Sequence, residues 1–265
     1  MSMTEITPDD MRLRPSHAGR TVLVTGAARG IGRAIAKAFV DRHATVAICD
    51  LDPAAVADTC AQLNAHGPGR AVPLPCDVSD YSGLEAALRA SGLDVDTIVN
   101  NAGISPKTDG VALKVWQMPP DEWGRVMDVN LTGSFNTIRA LSPAMVQSRR
   151  GWIVNTSSVA GKTYSPVVAC HYAATKSAII GFTKHLAAEL GPYSIRVNAM
   201  APGRIETPMV AGVAPEVNAE QVRLTPMGRL GASAEVADVA LWLTSTESSF
   251  VTGQTIDVAG GLYMT

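Results

Sequence analysis

The sequence predicts one doubly wound α/β domain, with a seven-stranded parallel sheet flanked by helices on both faces. Short apolar runs alternate with stretches of helical periodicity, a pattern typical of parallel strands joined by right-handed crossovers. Polar or glycine-rich residues follow these runs, as expected where ligands bind beyond the carboxyl ends of the strands. The predicted strands lie near residues 21–25, 45–49, 70–74, 96–100, 151–156, 195–200 and 254–258.

A glycine-rich turn follows the first apolar run, at residues 21–24. Its glycines, Gly26, Gly30 and Gly32, have the spacing G-x-x-x-G-x-G rather than the general fingerprint G-x-G-x-x-G, and a helical pattern begins directly after them. Glycines let a backbone approach a pyrophosphate closely, and the N–H groups of a helix N-terminus bind its charge. The strand, turn and helix therefore predict the start of a Rossmann-type dinucleotide site.

The second strand ends in Asp50, where an acidic residue is expected to meet the adenosine ribose of a bound dinucleotide. A carboxylate there accepts a hydrogen bond from the 2'-hydroxyl and repels a 2'-phosphate. Capping of the next helix is the other reading of Asp50, but Asp52 before a proline already predicts the N-cap. Arg29 and Arg33 are basic side chains near the same pocket. We expect NAD in preference to NADP.

Tyr172 and Lys176 stand four residues apart, so a helix places them on one face. A neighbouring ammonium is predicted to lower the tyrosine pKa from its ordinary value near ~10, which suits general acid/base catalysis at a hydroxyl group. Such pairs also occur on solvated helix faces. The residue four positions after Tyr164 is a valine, which cannot supply the positive charge. His171 is predicted to be a loop or surface residue. Tyr172 is therefore the candidate acid/base residue.

Taken together, these motifs resemble the short-chain dehydrogenase/reductase family from about Gly19 to the C-terminus. The matches occur in the order typical of the family: Thr25 to Gly32, Asp77, Asn100-Asn101-Ala102-Gly103, Asn130, Ser158, Tyr172 with Lys176, and Pro202-Gly203. The resemblance implies one NAD-binding catalytic domain over residues 20–265, with a substrate lid near 204–230. Residues 1–19 are predicted to be a mobile extension.

The resemblance also implies the roles of individual residues. The implied catalytic residues are Asn130, Ser158, Tyr172 and Lys176, with Ser157 as the reserve for Ser158 and Asn130 as the anchor of a water near the lysine. The implied cofactor contacts are Gly26, Arg29, Gly30, Ile31, Gly32, Asp50, Leu51, Asp77, Val78, Asn101, Ala102, Gly103, Tyr172, Lys176, Pro202, Gly203, Ile205 and Thr207. Turn or capping roles stay open for Asp77 and Asn101. No metal site is expected.

Composition limits the partners. A net charge of -2 gives no basic footprint for nucleic acid or an anionic membrane surface, and no apolar stretch has the length of a membrane span. The cysteines Cys49, Cys60, Cys76 and Cys170 lack C-x-x-C spacing and are predicted to be reduced, buried thiols. We expect a cytoplasmic enzyme with a small-molecule substrate. Analogy with the family implies a homotetramer.

Two segments without an interpretable motif are expected to form the substrate pocket: residues 104–120, and residues 209–230 as a lid. Their apolar content favours an apolar secondary alcohol or ketone over a polar sugar; it comprises Val111, Leu113, Val115, Trp116, Met118 and Val210. The predicted function is NAD(H)-dependent interconversion of a secondary alcohol and a ketone. The alternatives are a 3-oxoacyl-[acyl-carrier-protein] reductase using NADPH or NADH, a sugar or polyol dehydrogenase, a sugar-nucleotide epimerase and a non-catalytic NAD-binding protein.

Overall fold

The computed structural model of the protein describes residues 17–264. Within this range a seven-stranded parallel sheet has the order β3-β2-β1-β4-β5-β6-β7. The strands are β1 Thr21–Thr25, β2 Thr45–Asp50, β3 Arg70–Pro75, β4 Thr97–Asn100, β5 Gly151–Thr156, β6 Ile195–Pro202 and β7 Thr255–Val258. The doubly wound fold is confirmed. Strand order reverses between β1 and β4, so the ligand crevice of such a sheet opens beyond these two strands.

Helices cover both faces of the sheet. They are α1 Gly30–Val40, α2 Pro53–His66, α3 Tyr81–Ser91, α4 Pro120–Met127, α5 Gly133–Ser148, α6 Cys170–Leu190, α7 Pro208–Ala211, α8 Pro215–Leu224 and α9 Ser233–Thr244. A π-helical turn, Asp128–Thr132, joins α4 to α5. Asp52 caps α2 as predicted, because its carboxylate accepts from the backbone N–H groups of Ala54 and Ala55. No helix among the described residues is long and apolar enough to cross a membrane.

Alternation along the strands divides the core between the two faces. In β1, Val22 and Val24 pack with Phe39 and the α1/α9 side, whereas Leu23 packs on the opposite face with the α3, α5 and α6 side. All four of these side chains are fully buried. Burial on both faces explains why β1 is a continuous apolar run rather than an alternating one.

The packed domain begins earlier than the boundary predicted at residue 20. The ring of His17 is fully buried, meets Phe39 edge to face with centroids 4.9 Å apart, and hydrogen-bonds through Nε2 to Thr244 Oγ1 at 2.9 Å. Burial, together with the charge of Arg20, lowers the pKa of His17 to about 4. The rest of the predicted extension, residues 1–16, lies outside the described residues.

The cysteines occupy different environments. Cys49 and Cys60 are buried as predicted, Cys76 is partly buried, and the prediction is wrong for Cys170, which is exposed. Cys170 is the first residue of α6, where its side chain is in contact with solvent. The Sγ atoms of Cys49 and Cys76 lie 3.3 Å apart at the carboxyl ends of β2 and β3.

Candidate active site

A cavity of about 1010 Å³ lies at the carboxyl ends of the strands. Every residue predicted to contact a cofactor lines it except Gly32, and every predicted catalytic residue lines it except Asn130. The cavity continues past Tyr172 into the loop after β4 and the α7/α8 segment. We call the part beside Gly26, Asp50 and Asp77 the cofactor half, and the part beyond Tyr172 the substrate half.

The glycine turn needs glycine for two different reasons. Gly26 and Gly30 have φ values of +63° and +55°, in the left-handed region that favours glycine. Gly32 serves close packing instead: a Cβ there would lie 2.1 Å from the Gly26 carbonyl oxygen and 2.6 Å from Asn101 Nδ2. The lack of a side chain at Gly32 therefore allows the Gly26 carbonyl and the Asn101 amide to pack against the start of α1.

Asn101 ties the two central strands together where the strand order reverses. Its side-chain amide donates to the carbonyl oxygens of Thr25 and Gly26 at 3.0 and 3.2 Å, and its backbone N–H donates to Thr25 Oγ1 at 3.0 Å. These bonds fix the start of the glycine turn. Asn101 also lines the cavity, and its contact with a cofactor stays a prediction.

The Asp50 carboxylate is fixed beside the glycine turn. Its oxygens accept hydrogen bonds from the backbone N–H groups of Ala28 at 3.0 Å and Leu51 at 2.8 Å. Arg29 also lines the cavity, whereas Arg33 is engaged by the side chain of Gln62 on α2. The acidic residue is therefore held at the edge of the cofactor half.

Asp77 follows β3 and forms a turn as well as lining the cavity. Its Oδ1 accepts from the backbone N–H and the hydroxyl of Ser79, at 2.9 and 2.6 Å. Burial raises the pKa of Asp77, but the Ser79 hydrogen bonds and the charge of Arg125, 3.6 Å away, outweigh it and leave the pKa lowered. Sequence reasoning missed Arg125, which also lines the cavity and which no motif marks.

Ser158, Tyr172 and Lys176 meet where the two halves of the cavity join. Ser158 follows β5, whereas Tyr172 and Lys176 lie on α6. The Lys176 ammonium is buried, lies 5.5 Å from the centre of the Tyr172 ring and donates to the Thr156 carbonyl oxygen at 2.7 Å. One face of α6 therefore presents both side chains, as the four-residue spacing predicted.

The acid-base properties of this cluster differ from the prediction. Burial raises the pKa of the Tyr172 phenol, and a hydrogen bond with Ser158 opposes this effect without cancelling it. Burial also lowers the pKa of Lys176 to about 8. The expected lowering of the tyrosine pKa by the lysine is wrong for this structure, because burial of the phenol dominates and Lys176 loses its own proton at a lower pH than Tyr172 does.

The two adjacent serines have distinct contacts. The Ser157 hydroxyl donates to the Lys176 backbone carbonyl at 2.7 Å, which anchors α6 to the end of β5. The Ser158 hydroxyl accepts from the Ala160 N–H at 3.2 Å and lies 3.4 Å from the Pro202 carbonyl oxygen. Because Ser158 also reaches the phenol of Tyr172, its contacts favour it over Ser157 for a role at the reacting oxygen.

Asn130 lies in the π-helical turn, a feature frequent at functional sites. Its side chain accepts from the Ile104 N–H at 2.8 Å and donates to the Ile104 carbonyl at 3.0 Å and to Thr175 Oγ1 at 3.3 Å. These bonds fix the first residue of the loop after Gly103 beside α6. The anchoring of a water near Lys176 stays a prediction.

The surface position predicted for His171 is wrong. The ring is fully buried, and its Nε2 lies 2.9 Å from Glu122 Oε1 on α4. A helical turn of about 100° per residue directs His171 away from the cavity that Tyr172 faces and towards the neighbouring helix. His171 therefore positions α6 against α4.

The substrate half is formed partly by residues that the sequence did not single out. Met209 and Val210, from the predicted lid, line it together with Gln221 and Leu224 of α8, and Leu262 of the C-terminal segment. The prediction for the 104–120 segment is wrong in part: Trp116, Val111 and Val115 are 80%, 64% and 68% exposed and lie outside the cavity lining. That segment contributes residues 104–107 instead. Three of the six apolar side chains counted towards the pocket are therefore surface residues, whereas Val210 lines the cavity.

Comparison with known proteins identifies the family. A family model described as enoyl-(acyl carrier protein) reductase matches residues 26–263. The chain belongs to the short-chain dehydrogenase/reductase family, and it is an oxidoreductase acting on CH–OH donors.

Individual relatives are similar over nearly the whole chain. The 3-oxoacyl-[acyl-carrier-protein] reductase FabG of Thermotoga maritima is 40% identical over 248 residues, which cover 92% of this chain and 98% of that protein. The crystal structure of a 3-oxoacyl-[acyl-carrier protein] reductase from Brucella melitensis is 80% identical, with a TM-score of 0.96 over 100% of this chain and 99% of that one. A second Brucella melitensis reductase structure, with bound NAD, is 77% identical with a TM-score of 0.94, over 100% of this chain and 99% of that chain.

Proposed function

We propose that the protein interconverts a 3-oxoacyl thioester and the corresponding 3-hydroxyacyl thioester with NAD(H). The observation that carries the cofactor choice is the Asp50 carboxylate, fixed by two backbone N–H groups at the edge of the cofactor half. The substrate class is supported by the relatives, which are named for 3-oxoacyl carrier-protein reduction. This substrate replaces the simple secondary alcohol favoured from sequence.

The cofactor half fits a dinucleotide. Gly26 and Gly30 bring bare backbone to the cavity in left-handed conformations, which leaves space for a pyrophosphate beside the α1 N-terminus. Asp50 would hold the adenosine ribose, and Asp77 with Val78 the adenine. Ile205 and Thr207 line the cavity and would contact the nicotinamide end of the cofactor. A solved relative with the same fold contains bound NAD. Bound NADH supplies the hydride that reduces the substrate carbonyl carbon.

The protein's own residues handle the proton. Ser158 would donate a hydrogen bond to the carbonyl oxygen as negative charge develops there. Tyr172 would give its phenolic proton to the same oxygen, and in the oxidative direction would take it back. The raised pKa of Tyr172 keeps the phenol protonated near neutral pH, which suits reduction.

Lys176 would hold the nicotinamide ribose. Its ammonium already donates to the Thr156 carbonyl, and Gly103 leaves room beside it, since a Cβ at Gly103 would lie 3.5 Å from Nζ. Binding of ribose hydroxyls would supply partners for the remaining N–H donors of this buried cation. Asn130 supports the arrangement by fixing Ile104, the residue after Gly103.

We further propose a homotetramer in which α4, α5 and α6 meet a second copy of the chain. Trp123 on α4 and Phe135 on α5 are 42% and 50% exposed and would be available to pack against a second copy. Sedimentation equilibrium of the purified protein checks this assembly. A monomer at micromolar concentration would contradict it.

To test the function, the rate of reduction of each compound in a panel of substrates is measured from the decrease in NADH absorbance. We expect 3-oxobutanoyl thioesters to be reduced with NADH faster than simple ketones, with Asp50→Asn as the cofactor control and Tyr172→Phe as the blank. Turnover of ketones or polyols alone would overturn the thioester assignment. Equal rates with NADPH would overturn the cofactor assignment and leave the substrate assignment intact.

A further inference from the structure

Two cations face the substrate half without a negatively charged partner in the described range. Lys107 belongs to the loop after β4 and Arg204 to the segment after β6, and both line the cavity. Within residues 17–264 the Lys107 ammonium has no hydrogen bond or ion pair, and Arg204 has no carboxylate partner. Positive charges in a cleft are usually paired or bind an anion, because unpaired burial of charge is costly.

The guanidinium of Arg204 is held in place by neutral groups. Its Nε and Nη2 donate to Asn218 Oδ1 on α8 at 3.0 and 2.6 Å, and Asn218 Nδ2 donates to the Val210 carbonyl at 3.2 Å. The remaining nitrogen, Nη1, has no partner among the described residues. A fixed guanidinium with free donors is well suited to binding a carboxylate or phosphate.

Lys107 lies near enough to Arg204 to be affected by its charge. Partial burial lowers the pKa of Lys107, and the positive charge of Arg204 lowers it further. Burial likewise lowers the pKa of Arg204. Both effects disfavour the charged forms, and both would be relieved by an anion bound between the two side chains.

We propose that Lys107 and Arg204 form an anion-binding subsite that recognises an oxyanion carried by the substrate. This proposal rests on the proposed function and names the substrate chemistry more closely. The oxyanion is either the carboxylate of a free 3-oxo acid or the phosphate of a phosphopantetheine arm, which share the same recognition chemistry. A neutral substrate of the same carbon skeleton gains nothing from the pair.

Four substrates that share a 3-oxobutanoyl group distinguish a carboxylate from a phosphate as the bound oxyanion. Acetoacetate carries a carboxylate, 3-oxobutanoyl-phosphopantetheine carries a phosphate, and the ethyl ester and the N-acetylcysteamine thioester are neutral. In Lys107→Glu we expect kcat/KM for the preferred anionic substrate to fall at least about tenfold, the loss of one charge-assisted hydrogen bond. The neutral compounds should change by less than about threefold.

Matched variants guard against general damage. Lys107→Arg keeps the positive charge and should retain the preference for the anion. Lys114→Glu makes the same charge change at an exposed lysine of the same loop, outside the cavity lining, and should change neither class of substrate. Equal losses for anionic and neutral substrates in Lys107→Glu, or the same selective loss in Lys114→Glu, would overturn the subsite.

A binding measurement separates this proposal from the proposed function. Calorimetric titration compares butanoate with butanamide, a neutral ligand of the same shape, on the wild type and Lys107→Glu. Tighter binding of butanoate that is lost in Lys107→Glu supports the subsite even if no thioester is reduced, an outcome that would overturn the proposed function alone. Equal binding of the two ligands to the wild type, together with unchanged kcat/KM for 3-oxobutanoyl-phosphopantetheine in Lys107→Glu, would overturn the subsite alone.

Discussion

In the cofactor half of the cavity, Asp50, Asp77 and Asn101 each lie at or just after the end of a strand, and Asn101 and Asp50 bind backbone groups of the glycine turn. In the substrate half, Lys107 stands on a loop, and Met209 and Leu224 stand on α7 and α8, where both side chains are about half exposed. The cofactor half is therefore rigid because the sheet positions it. The substrate half depends on segments that few buried contacts hold, and such segments change specificity without changing the fold.

The sharpest test of the junction between the halves is Tyr172→Phe. Removal of the phenolic hydroxyl removes the proton donor while leaving the ring in place, so we expect a loss of about 10²–10⁴-fold in kcat. NADH binding, measured by fluorescence titration, should weaken by less than about tenfold, because only one hydroxyl among the implied cofactor contacts is lost. A variant that binds NADH and turns over at the wild-type rate would contradict the role of Tyr172.

Gly32→Ala tests the rigidity of the cofactor half. The new methyl group would lie 2.1 Å from the Gly26 carbonyl, and backbone cannot move aside cheaply, so we expect a loss of about 2–3 kcal/mol in stability and weaker NADH binding. Gly124→Ala on α4 is the matched control, since its methyl group would meet nothing within 4 Å. The control should be neutral or up to about 1 kcal/mol more stable by helix propensity. Urea unfolding of both variants checks the difference.

Lys176→Met tests the cost of the buried charge at the junction. The folded-state pKa of Lys176, about 8, lies below its ordinary value of 10.5, so the unfolded chain binds more protons between these pH values. The penalty is complete below pH 8 and disappears as pH rises to 10.5. At pH 7 we expect the variant to be inactive but about 1–2 kcal/mol more stable, after loss of the Thr156 hydrogen bond. The difference between the variant and the wild type should shrink above pH 8; a pH-independent difference would contradict the assignment.

Leu224→Ala is expected to have the smallest effect and to act on the substrate half alone. Because Leu224 is 48% exposed, its truncation should cost less than about 1 kcal/mol of stability. We expect KM for a 3-oxoacyl thioester to rise about three- to tenfold while KM for NADH stays constant. Steady-state kinetics in which the thioester and NADH are varied in turn gives the two KM values separately. A parallel rise in both KM values would show that the halves are coupled.

The sequence predicted those parts of the molecule that backbone periodicity and strand ends determine. All seven strands were located, and Gly26, Asp50, Asp77 and Asn101 lie together because parallel strands bring their carboxyl ends to one edge. The predictions failed where tertiary packing decides exposure. His171 is buried in contact with Glu122 on α4, and no local sequence pattern indicates that contact.

The substrate half was less predictable for a related reason. Trp116 and Leu262 are both apolar, yet Trp116 is on the surface whereas Leu262 lines the cavity. Their positions depend on how irregular segments return to the domain, which neither a two-residue nor a 3.6-residue period encodes. Lys107 and Arg204 line one cavity from two such segments, although they are more than 90 residues apart in sequence.

In the proposed function, one cavity joins a half that selects NAD to a half that binds a 3-oxoacyl thioester. The most direct test measures kcat/KM for NADH and NADPH with one 3-oxobutanoyl thioester, in the wild type and in Asp50→Asn. This variant removes the charge and keeps an acceptor oxygen for only one of the two backbone N–H groups. We predict that the wild type prefers NADH by at least about tenfold and that Asp50→Asn reduces this preference by about tenfold or more. A wild-type enzyme that uses NADPH equally well, or a preference unchanged in Asp50→Asn, would contradict the account.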